Sequence, residues 1–274
     1  MAPSITNDFV HKHVLRALVS FALRGRRIIA GTWDESETLC ISFDCDTDRD
    51  MREIPSLLGL LGDRSVRSTF GLVGTLAERY PDVVKDILRN GHEILNHTFS
   101  HPITFRSIGD NAMRNEVEYF QKLMIERFHY RPQGFRAPHL MRKYDRTLFR
   151  ILKYNQLYDT SYVGRGIASI DGVIELPLTS CPDHPQLCFD YWHHFQLPII
   201  KSSWRKFVIL WKDLLAEKSF LNVYLDPHLV SDKFLEEMIT AVPDSFKFVK
   251  LNDIAAVAFG TLNSERRVQK DSSL

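Results

Sequence analysis

The sequence predicts an α/β fold built on a mostly parallel β-sheet, either a barrel or a doubly wound sheet. Short apolar segments of strand length alternate with helical segments along most of the chain, which is typical of parallel strands joined by helical crossovers. The chain has 274 residues, 44% hydrophobic and 25% charged, so it can bury the core that one barrel domain requires. Acidic residues also gather directly after the first predicted strand, where α/β folds build their sites.

The predicted elements follow one another along the chain. Strands are predicted at residues 38–43, 67–73, 93–95, 134–136, 157–163, 173–178, 221–225 and 246–251. Helices are predicted at residues 51–61, in a segment ending at 90–91, and at 111–128, 145–152, 204–217 and 232–241. Gly91 suits the position after a helix because glycine adopts a left-handed backbone without steric cost. Residues 182–198 interrupt the alternation with prolines and aromatics, so we expect them to shape a groove.

Three regions are predicted: an N-terminal helical extension over 1–37, a catalytic domain over 38–260 and a disordered tail over 261–274. The extension places apolar residues such as Val10, Val14 and Leu18 on one helical face, with basic residues such as Arg16 and Arg24 beside them. We expect this helix to pack on the domain, and docking on an anionic membrane surface is the alternative. The tail is polar and charged, which is typical of a frayed terminus.

Charge and cysteine content exclude several classes of protein. A net charge of +1 gives no overall field for recruiting nucleic acid, and no nucleic-acid motif is present. No signal-like start and no apolar run of about 20 residues is found, so a cytoplasmic location is expected. The cysteines form no Cys-x-x-Cys pair and are expected to be reduced structural thiols: Cys40, Cys45, Cys181 and Cys188. A role for Cys45 as a soft metal ligand stays open, because it lies between two aspartates.

Two aspartates and two histidines carry the clearest chemical signal. Asp44 and Asp46 end an apolar run of strand length, and His97 and His101 are four residues apart, so they share one face if the segment forms a helical turn. One carboxylate and two imidazoles can hold a divalent metal with an open position, and the second carboxylate can act as a general base. The pattern therefore predicts a metal-dependent hydrolase. The next two acidic residues are expected in a solvated loop or at a helix N-cap: Asp48 and Asp50.

Three motifs in a fixed order resemble those of the polysaccharide deacetylase superfamily, also called NodB homology or carbohydrate esterase family 4. They are Ser42-Phe43-Asp44-Cys45-Asp46, His97-Thr98-Phe99-Ser100-His101 and Phe135-Arg136-Ala137-Pro138. The resemblance spans about residues 38–255 and is to the branch with an Asp-x-Asp first motif. It implies a distorted (β/α)7 barrel of the NodB-homology type, here with an added N-terminal helix. It also implies a divalent ion, zinc first, with cobalt or nickel as alternatives, and hydrolysis of an N-acyl group.

The resemblance also assigns roles to residues that match the motifs. Asp46, His97 and His101 match the metal ligands, and Asp44 matches the catalytic base. Arg136 matches the arginine that pairs with this base and keeps it ionised and oriented, a role that suits its fork of donors.

The general acid is where the sequence departs from the family pattern. The family usually supplies a histidine in a late Leu-x-His or His-Pro motif, whereas this chain has Leu225-Asp226-Pro227-His228. We assign the role to His228, and a polar residue at the start of the next helix is the alternative interpretation of this histidine. Other residues remain open as the acid: Asp226, His139, His193 and His194.

The predicted reaction is the removal of an N-acetyl group from an amino sugar on an intracellular glycan precursor, such as a lipid-linked or nucleotide-linked sugar. A deformylase, a cyclic-imide hydrolase and an inactive carbohydrate-binding relic are the alternatives, the last because the late histidine is displaced. Several aromatic residues could stack on sugar faces or belong to the core: Phe189, Tyr191, Trp192 and Trp204.

Overall fold

The structure, a computed structural model, describes residues 26–32, 34–197, 200 and 202–271, with side chains described only up to residue 261. The strands are β1 (Ile28–Ala30), β2 (Thr38–Cys45), β3 (Thr69–Leu72), β4 (Glu93–Asn96), β5 (Gly134–Phe135), β6 (Tyr158–Asp159), β7 (Val163–Arg165), β8 (Ala168–Ile170), β9 (Val173–Glu175), β10 (Leu178–Thr179), β11 (Leu221–Leu225) and β12 (Lys247–Phe248). The α-helices are α1 (Asp48–Asp63), α2 (Gly74–Arg79), α3 (Pro81–Arg89), α4 (Asp110–Phe128), α5 (Arg146–Asn155), α6 (Trp204–Ala216), α7 (Asp232–Thr240) and α8 (Leu251–Asp271).

The main sheet is a curled, half-barrel sheet, and the prediction of an α/β barrel is confirmed. Its parallel strands run in the order β11-β2-β3-β4-β5-β6-β9, β8 pairs antiparallel with β9, and β12 lies beside β2. A second, smaller sheet is parallel and has the order β1-β7-β10. The two sheets meet where Asn222 of β11 donates its backbone N–H to Thr179 Oγ1 of β10 at 2.8 Å.

Strand β2 positions the site because its side chains alternate between two layers. All eight of its residues are buried. Those on one face join the core that packs against α1: Leu39, Ile41, Phe43 and Cys45. Ser42 and Asp44 lie on the opposite face, where both contact Arg136. Cys45 therefore lies on the face away from the aspartate, and its proposed role as a metal ligand is wrong.

Both termini of the described region differ from the prediction. The predicted N-terminal helical extension over 1–37 lies outside the described residues up to residue 25. In its remaining part the chain forms strand β1, which pairs with β7. The predicted disordered tail is wrong up to Asp271, because the chain there belongs to helix α8. That helix is held by side chains at helical spacing that pack into a core cluster under the sheet: Leu251, Ile254, Ala255 and Ala258.

Two predicted strands are each divided in the structure, and strand β8, like β1, was missed. Segment 157–163 contains β6 and the start of β7, which belong to different sheets, and segment 173–178 contains β9 and the start of β10. Strand β8 was missed, although it joins β9 through Asp171-Gly172, a dipeptide typical of tight hairpins. Both residues of that turn have positive φ angles, 52° at Asp171 and 81° at Gly172. No helix among the described residues is long and apolar enough to cross a membrane.

Candidate active site

The three predicted metal ligands lie together at the carboxyl ends of neighbouring parallel strands. Asp46 follows β2 and His97 follows β4, so the sheet brings them to the same edge. Asp46 lies 3.2 Å from His97 Nε2 through Oδ1 and 3.3 Å from His101 Nε2 through Oδ2. The candidate ligand atoms of the three residues all lie within 4.8 Å of one another. One ion could therefore contact all three side chains.

The segment that carries both histidines is a loop and not a helical turn. Thr98 and His101 have left-handed backbone conformations, with φ angles of 68° and 52°. Asn96 Oδ1 accepts a hydrogen bond from Thr98 N at 2.9 Å, and Thr98 Oγ1 accepts one from His101 N at 3.1 Å. These local bonds fold the chain back on itself, so the two imidazoles meet with ring centroids 5.0 Å apart.

The donor atoms of this group fit a divalent metal such as zinc. His97 Nδ1 lies 2.8 Å from the Arg136 carbonyl oxygen, and a hydrogen bond there leaves the Nε2 lone pair directed to Asp46. Burial lowers the pKa of His101 to about 4, so this imidazole is neutral near neutral pH, as a metal ligand must be. His101 Nε2 and Asp46 Oδ1 are buried without a hydrogen-bond partner in the described part of the chain. A metal ion would satisfy both atoms.

Asp44 is held apart from this group by Arg136. Arg136 is fully buried and donates from Nη1 to Asp44 Oδ1 at 2.5 Å, and its Nη2 donates to Ser42 Oγ at 2.9 Å. Asp44 Oδ2 lies 4.0 Å from His97 Nε2. Burial raises the pKa of the Asp44 carboxyl above its ordinary value, and the Arg136 charge offsets this only in part. Arg136 thus orients a carboxylate that is more basic than usual, which suits a general base.

Gly71 of β3 completes the surroundings of Asp44, and the sequence analysis missed it. Gly71 pairs with Asp44 in the register of β2 and β3. A Cβ at this position would lie 2.7 Å from Asp44 Oδ1, closer than real Cβ contacts. A residue without a side chain is therefore required here. The signal in the sequence was a glycine inside a predicted strand.

His228 reaches the same site and is paired with a buried carboxylate. Strand β11 lies beside β2, so its continuation through Asp226 to His228 enters the edge that carries Asp44. His228 Nδ1 lies 2.6 Å from Asp50 Oδ1, and the His228 backbone N–H donates to the same oxygen at 3.1 Å. A carboxylate on Nδ1 fixes the orientation and the tautomer of an imidazole. His228 lies in a 3₁₀ turn, Pro227–Leu229, and precedes helix α7, which Ser231 caps.

Asp50 has a larger role than the sequence predicted. It is 1% exposed, and its Oδ2 accepts hydrogen bonds from the backbone N–H and the hydroxyl of Thr47 at 2.9 Å and 2.7 Å. This forms a capping box at the start of α1, so a cap role is present, with Thr47 as the N-cap residue. The prediction of a solvated residue is wrong for Asp50. Asp48 is partly exposed and contacts Arg79 and Tyr80.

Asp226 lines the same cavity with its carboxyl among other acidic groups. Burial raises its pKa to about 9, and the charges of Asp44 and Asp46 add to the effect. In the described chain without a bound cation, Asp226 is therefore protonated near neutral pH and can donate a hydrogen bond.

The remaining candidate acids fall into two groups. His193 lines the cavity, and its Nδ1 contacts the buried carboxylate of Asp190. His139 also lines the cavity, stacked edge-on against His101 at 5.1 Å between ring centroids, and no described carboxylate pairs with it. His194 is buried, lies near Ser202 and Cys181, and is not among the residues that line the cavity.

Cys188, Asp190 and His193 form a second group with donor atoms within 4.8 Å of one another. The Asp190 carboxylate accepts a hydrogen bond from the Cys188 thiol at 2.9 Å and also contacts His193 Nδ1. Burial raises the pKa of the Cys188 thiol well above its ordinary value, so the thiolate that binds metals is disfavoured. This group is better described as a histidine oriented by a carboxylate.

The site opens into a cavity of about 640 Å³. Trp192 lines it and is 43% exposed, so its ring can meet a sugar face. The other predicted stacking residues pack into an aromatic cluster with Phe207 and Phe234: Phe189, Tyr191 and Trp204. All four cysteines are free and buried, as the sequence predicted.

Comparison with known proteins finds similarity to one family over a little less than half of the chain. Residues 32–158 match the family model described as polysaccharide deacetylase. A peptidoglycan-N-acetylglucosamine deacetylase of Bacillus cereus is 30% identical over 110 residues, which are 40% of this chain and 38% of that protein. Over this region the chain is similar to the polysaccharide deacetylase superfamily. Members of this superfamily are metalloenzymes, and the matched region contains the group formed by Asp46, His97 and His101.

Solved structures of polysaccharide deacetylase-like proteins share the fold. A Mycobacterium smegmatis structure described by that family name has a TM-score of 0.67 at 20% identity, over 89% of this chain and 96% of that one. A Pseudomonas aeruginosa structure has a TM-score of 0.65 at 16% identity, over 80% of this chain and 89% of that one. The chain spans less than half the length of the Bacillus relative, and these structural matches concern the fold alone.

Proposed function

We propose that this chain is a polysaccharide deacetylase that depends on a metal and removes an N-acetyl group from an amino sugar. One observation carries the proposal: Asp44 is buried beside the ligand group but is held by Arg136 at 2.5 Å. Metal binding alone would not require a further carboxylate, Asp44, paired with the guanidinium of Arg136. A spare base beside an open metal site is what hydrolysis of an amide requires.

The attack on the acyl group uses Asp44. When bound at Asp46, His97 and His101, a divalent ion, zinc in our proposal, would supply Lewis acidity to the acyl oxygen and make a nearby water more acidic. Asp44 takes the proton from the attacking water through Oδ2, since Oδ1 is held by Arg136. The water oxygen then bonds to the acyl carbon. Gly71 leaves the space in which the carboxylate stands.

The departure of the amine uses His228. An amide nitrogen leaves readily only when it is protonated, and His228 Nε2 is the free nitrogen of an imidazole whose Nδ1 is held by Asp50. Proton transfer from His228 to the nitrogen lets the carbon–nitrogen bond break, which yields acetate and a free amine. His193 with Asp190 is the alternative acid, because it also lines the cavity and is paired with a buried carboxylate.

An inactive relic is a weaker interpretation, and the reason is the pair formed by His228 and Asp50. The relic was considered because the late histidine is displaced in sequence, yet His228 lines the cavity that holds Asp44. A deformylase or a cyclic-imide hydrolase uses the same groups and differs only in the substrate. An intracellular precursor as substrate and a cytoplasmic location remain predictions, and four free thiols accord with a reducing compartment.

The reaction is tested by loading the purified protein with zinc, cobalt or nickel and screening N-acetyl and N-formyl amino sugars for release of acetate or formate. Asp44→Asn should abolish release, because an amide cannot take the proton. Asp48→Asn is the matched control, since it makes the same change at a partly exposed aspartate four residues along the chain, and it should leave the rate unchanged. Release of acetate or formate by the Asp44→Asn protein at the wild-type rate would refute the mechanism.

A further inference from the structure

Two arginines line the cavity: Arg26 and Arg142 stand there together with Asp44 and His228. A third, Arg106, does not line it but is influenced by both, because their charges add to the effect of burial in lowering the pKa of Arg106. We call these three residues the basic cluster.

Among the residues that the structure describes, the basic cluster has no carboxylate partner of its own. None of its members forms an ion pair with an acidic residue of the described part of the chain. Arg26 donates from Nη1 to the Gln186 carbonyl at 2.8 Å, while its Nε is buried without a hydrogen-bond partner among the described residues. Asp190, an acidic neighbour whose charge acts on Arg26, is already engaged by His193.

Such an arrangement is unfavourable for the folded chain by itself. Three like charges repel, and a buried donor without an acceptor loses its bond to water. An anion in the cavity would satisfy both demands, because the guanidinium fork matches the paired oxygens of phosphate and carboxylate groups. Where a protein keeps repelling charges and an unsatisfied buried donor together, the place is usually a functional site.

We propose that the basic cluster is a subsite for an anionic group of the substrate, a phosphate or a carboxylate attached to the amino sugar that is deacetylated. The inference rests on the proposed function, because the sugar must place its N-acyl group beside Asp44. Arg26, Arg142 and Asp44 line one cavity, so one substrate can contact the arginines and the base. Neutral N-acetyl sugars are then the poorer ligands.

Binding tests this subsite without requiring turnover. Zinc-loaded Asp44→Asn protein is titrated calorimetrically with N-acetylglucosamine, N-acetylglucosamine 1-phosphate and N-acetylmuramic acid. The sugar phosphate and the sugar carboxylate show which of the two anionic groups the subsite binds. Whichever of the two anionic sugars binds more tightly should have a Kd at least about tenfold lower than that of the neutral sugar, because a charged hydrogen bond contributes about 1.4 kcal/mol or more.

Arginine variants separate this subsite from anion binding at the metal. Arg142→Gln should weaken binding of the anionic sugar by about tenfold and leave the neutral sugar within about twofold. Arg150→Gln is the matched control, because Arg150 is exposed on α5 and does not line the cavity; it should change neither affinity. Equal affinity for all three sugars, or binding of the anionic sugars that ignores the cavity arginines, would overturn the subsite.

Acetate release from wild-type protein on the same three sugars keeps the two proposals distinguishable. Arginine-dependent binding of an anionic sugar without any acetate release would refute the deacetylase proposal and leave the subsite standing. Release from the neutral sugar at the same kcat/KM as from both anionic sugars would support the deacetylase and refute the subsite.

Discussion

Replacing Gly71 by alanine perturbs the base without changing any group that takes part in the reaction. The added Cβ would lie 2.7 Å from Asp44 Oδ1, so the carboxylate must move by about 0.7 Å to restore ordinary van der Waals contact. That oxygen is also the one held by Arg136 at 2.5 Å, so the movement strains the ion pair. Overpacking of this kind costs about 1–3 kcal/mol of stability. Displacement of a reacting group by up to 1 Å costs about tenfold to a hundredfold in rate.

The assay is steady-state acetate release by zinc-loaded Gly71→Ala protein, with zinc content measured on the same sample. We expect kcat to fall by about tenfold to a hundredfold while the zinc content stays at the wild-type level, because the three ligands are untouched. Gly59→Ala is the matched control: a Cβ there meets nothing within 4 Å, and alanine favours the surrounding helix α1. A Gly71→Ala enzyme with wild-type kcat would show that the position of Asp44 does not limit the reaction.

Three further predictions concern the acid, the buried carboxyl groups and the metal. His228→Ala should lower kcat by about 10²-fold to 10⁴-fold with little change in KM, because the general acid is removed. Asp50→Asn should cause much of the same loss, because Asp50 orients His228. A larger loss of kcat in a His193→Ala enzyme would assign the role of general acid to His193. Burial raises the pKa of Asp159 to about 6 and that of its strand neighbour Glu175 well above its ordinary value, so above about pH 4 the folded chain holds protons that the unfolded chain has released. Their contribution to the free energy of unfolding should therefore fall from about pH 4 through pH 6 and beyond. Urea titrations should show Glu175→Gln gaining stability relative to wild type as pH rises, and a constant difference would contradict the assignment. Removal of zinc by a chelator should lower Tm, because the metal binds only the folded state, and a chelator that leaves Tm unchanged would argue against the site.

Much of the sheet and of the metal group could be predicted because each depends on local sequence. The apolar runs that form β2 and β11 have strand length, and parallel strands joined by helices place their carboxyl ends at one edge. The position of Asp46 and His97 follows from that rule once the strands are known. The motif order then separated Asp44 from the ligands, and the contact with Arg136 agrees with the separation.

Other features could not be predicted because they depend on contacts between distant segments. Asp50 and His228 are 178 residues apart, and nothing local to either residue indicates that they pair. The loop from His97 to His101 is set by hydrogen bonds of Asn96 and Thr98, which override the helical spacing of the histidines. Helix α8 was missed because its polar composition outweighed the few apolar residues that hold it to the sheet.

The division of the site into three ligands and one free base is tested most directly by zinc content and acetate release measured together in two variants. Asp44→Asn should keep the wild-type zinc stoichiometry and release no acetate, because it lacks only the proton acceptor. Asp46→Asn should lose zinc and activity together, because it removes a ligand that contacts both histidines. Loss of zinc from Asp44→Asn, or acetate release by it at the wild-type rate, would contradict the role assigned to Asp44.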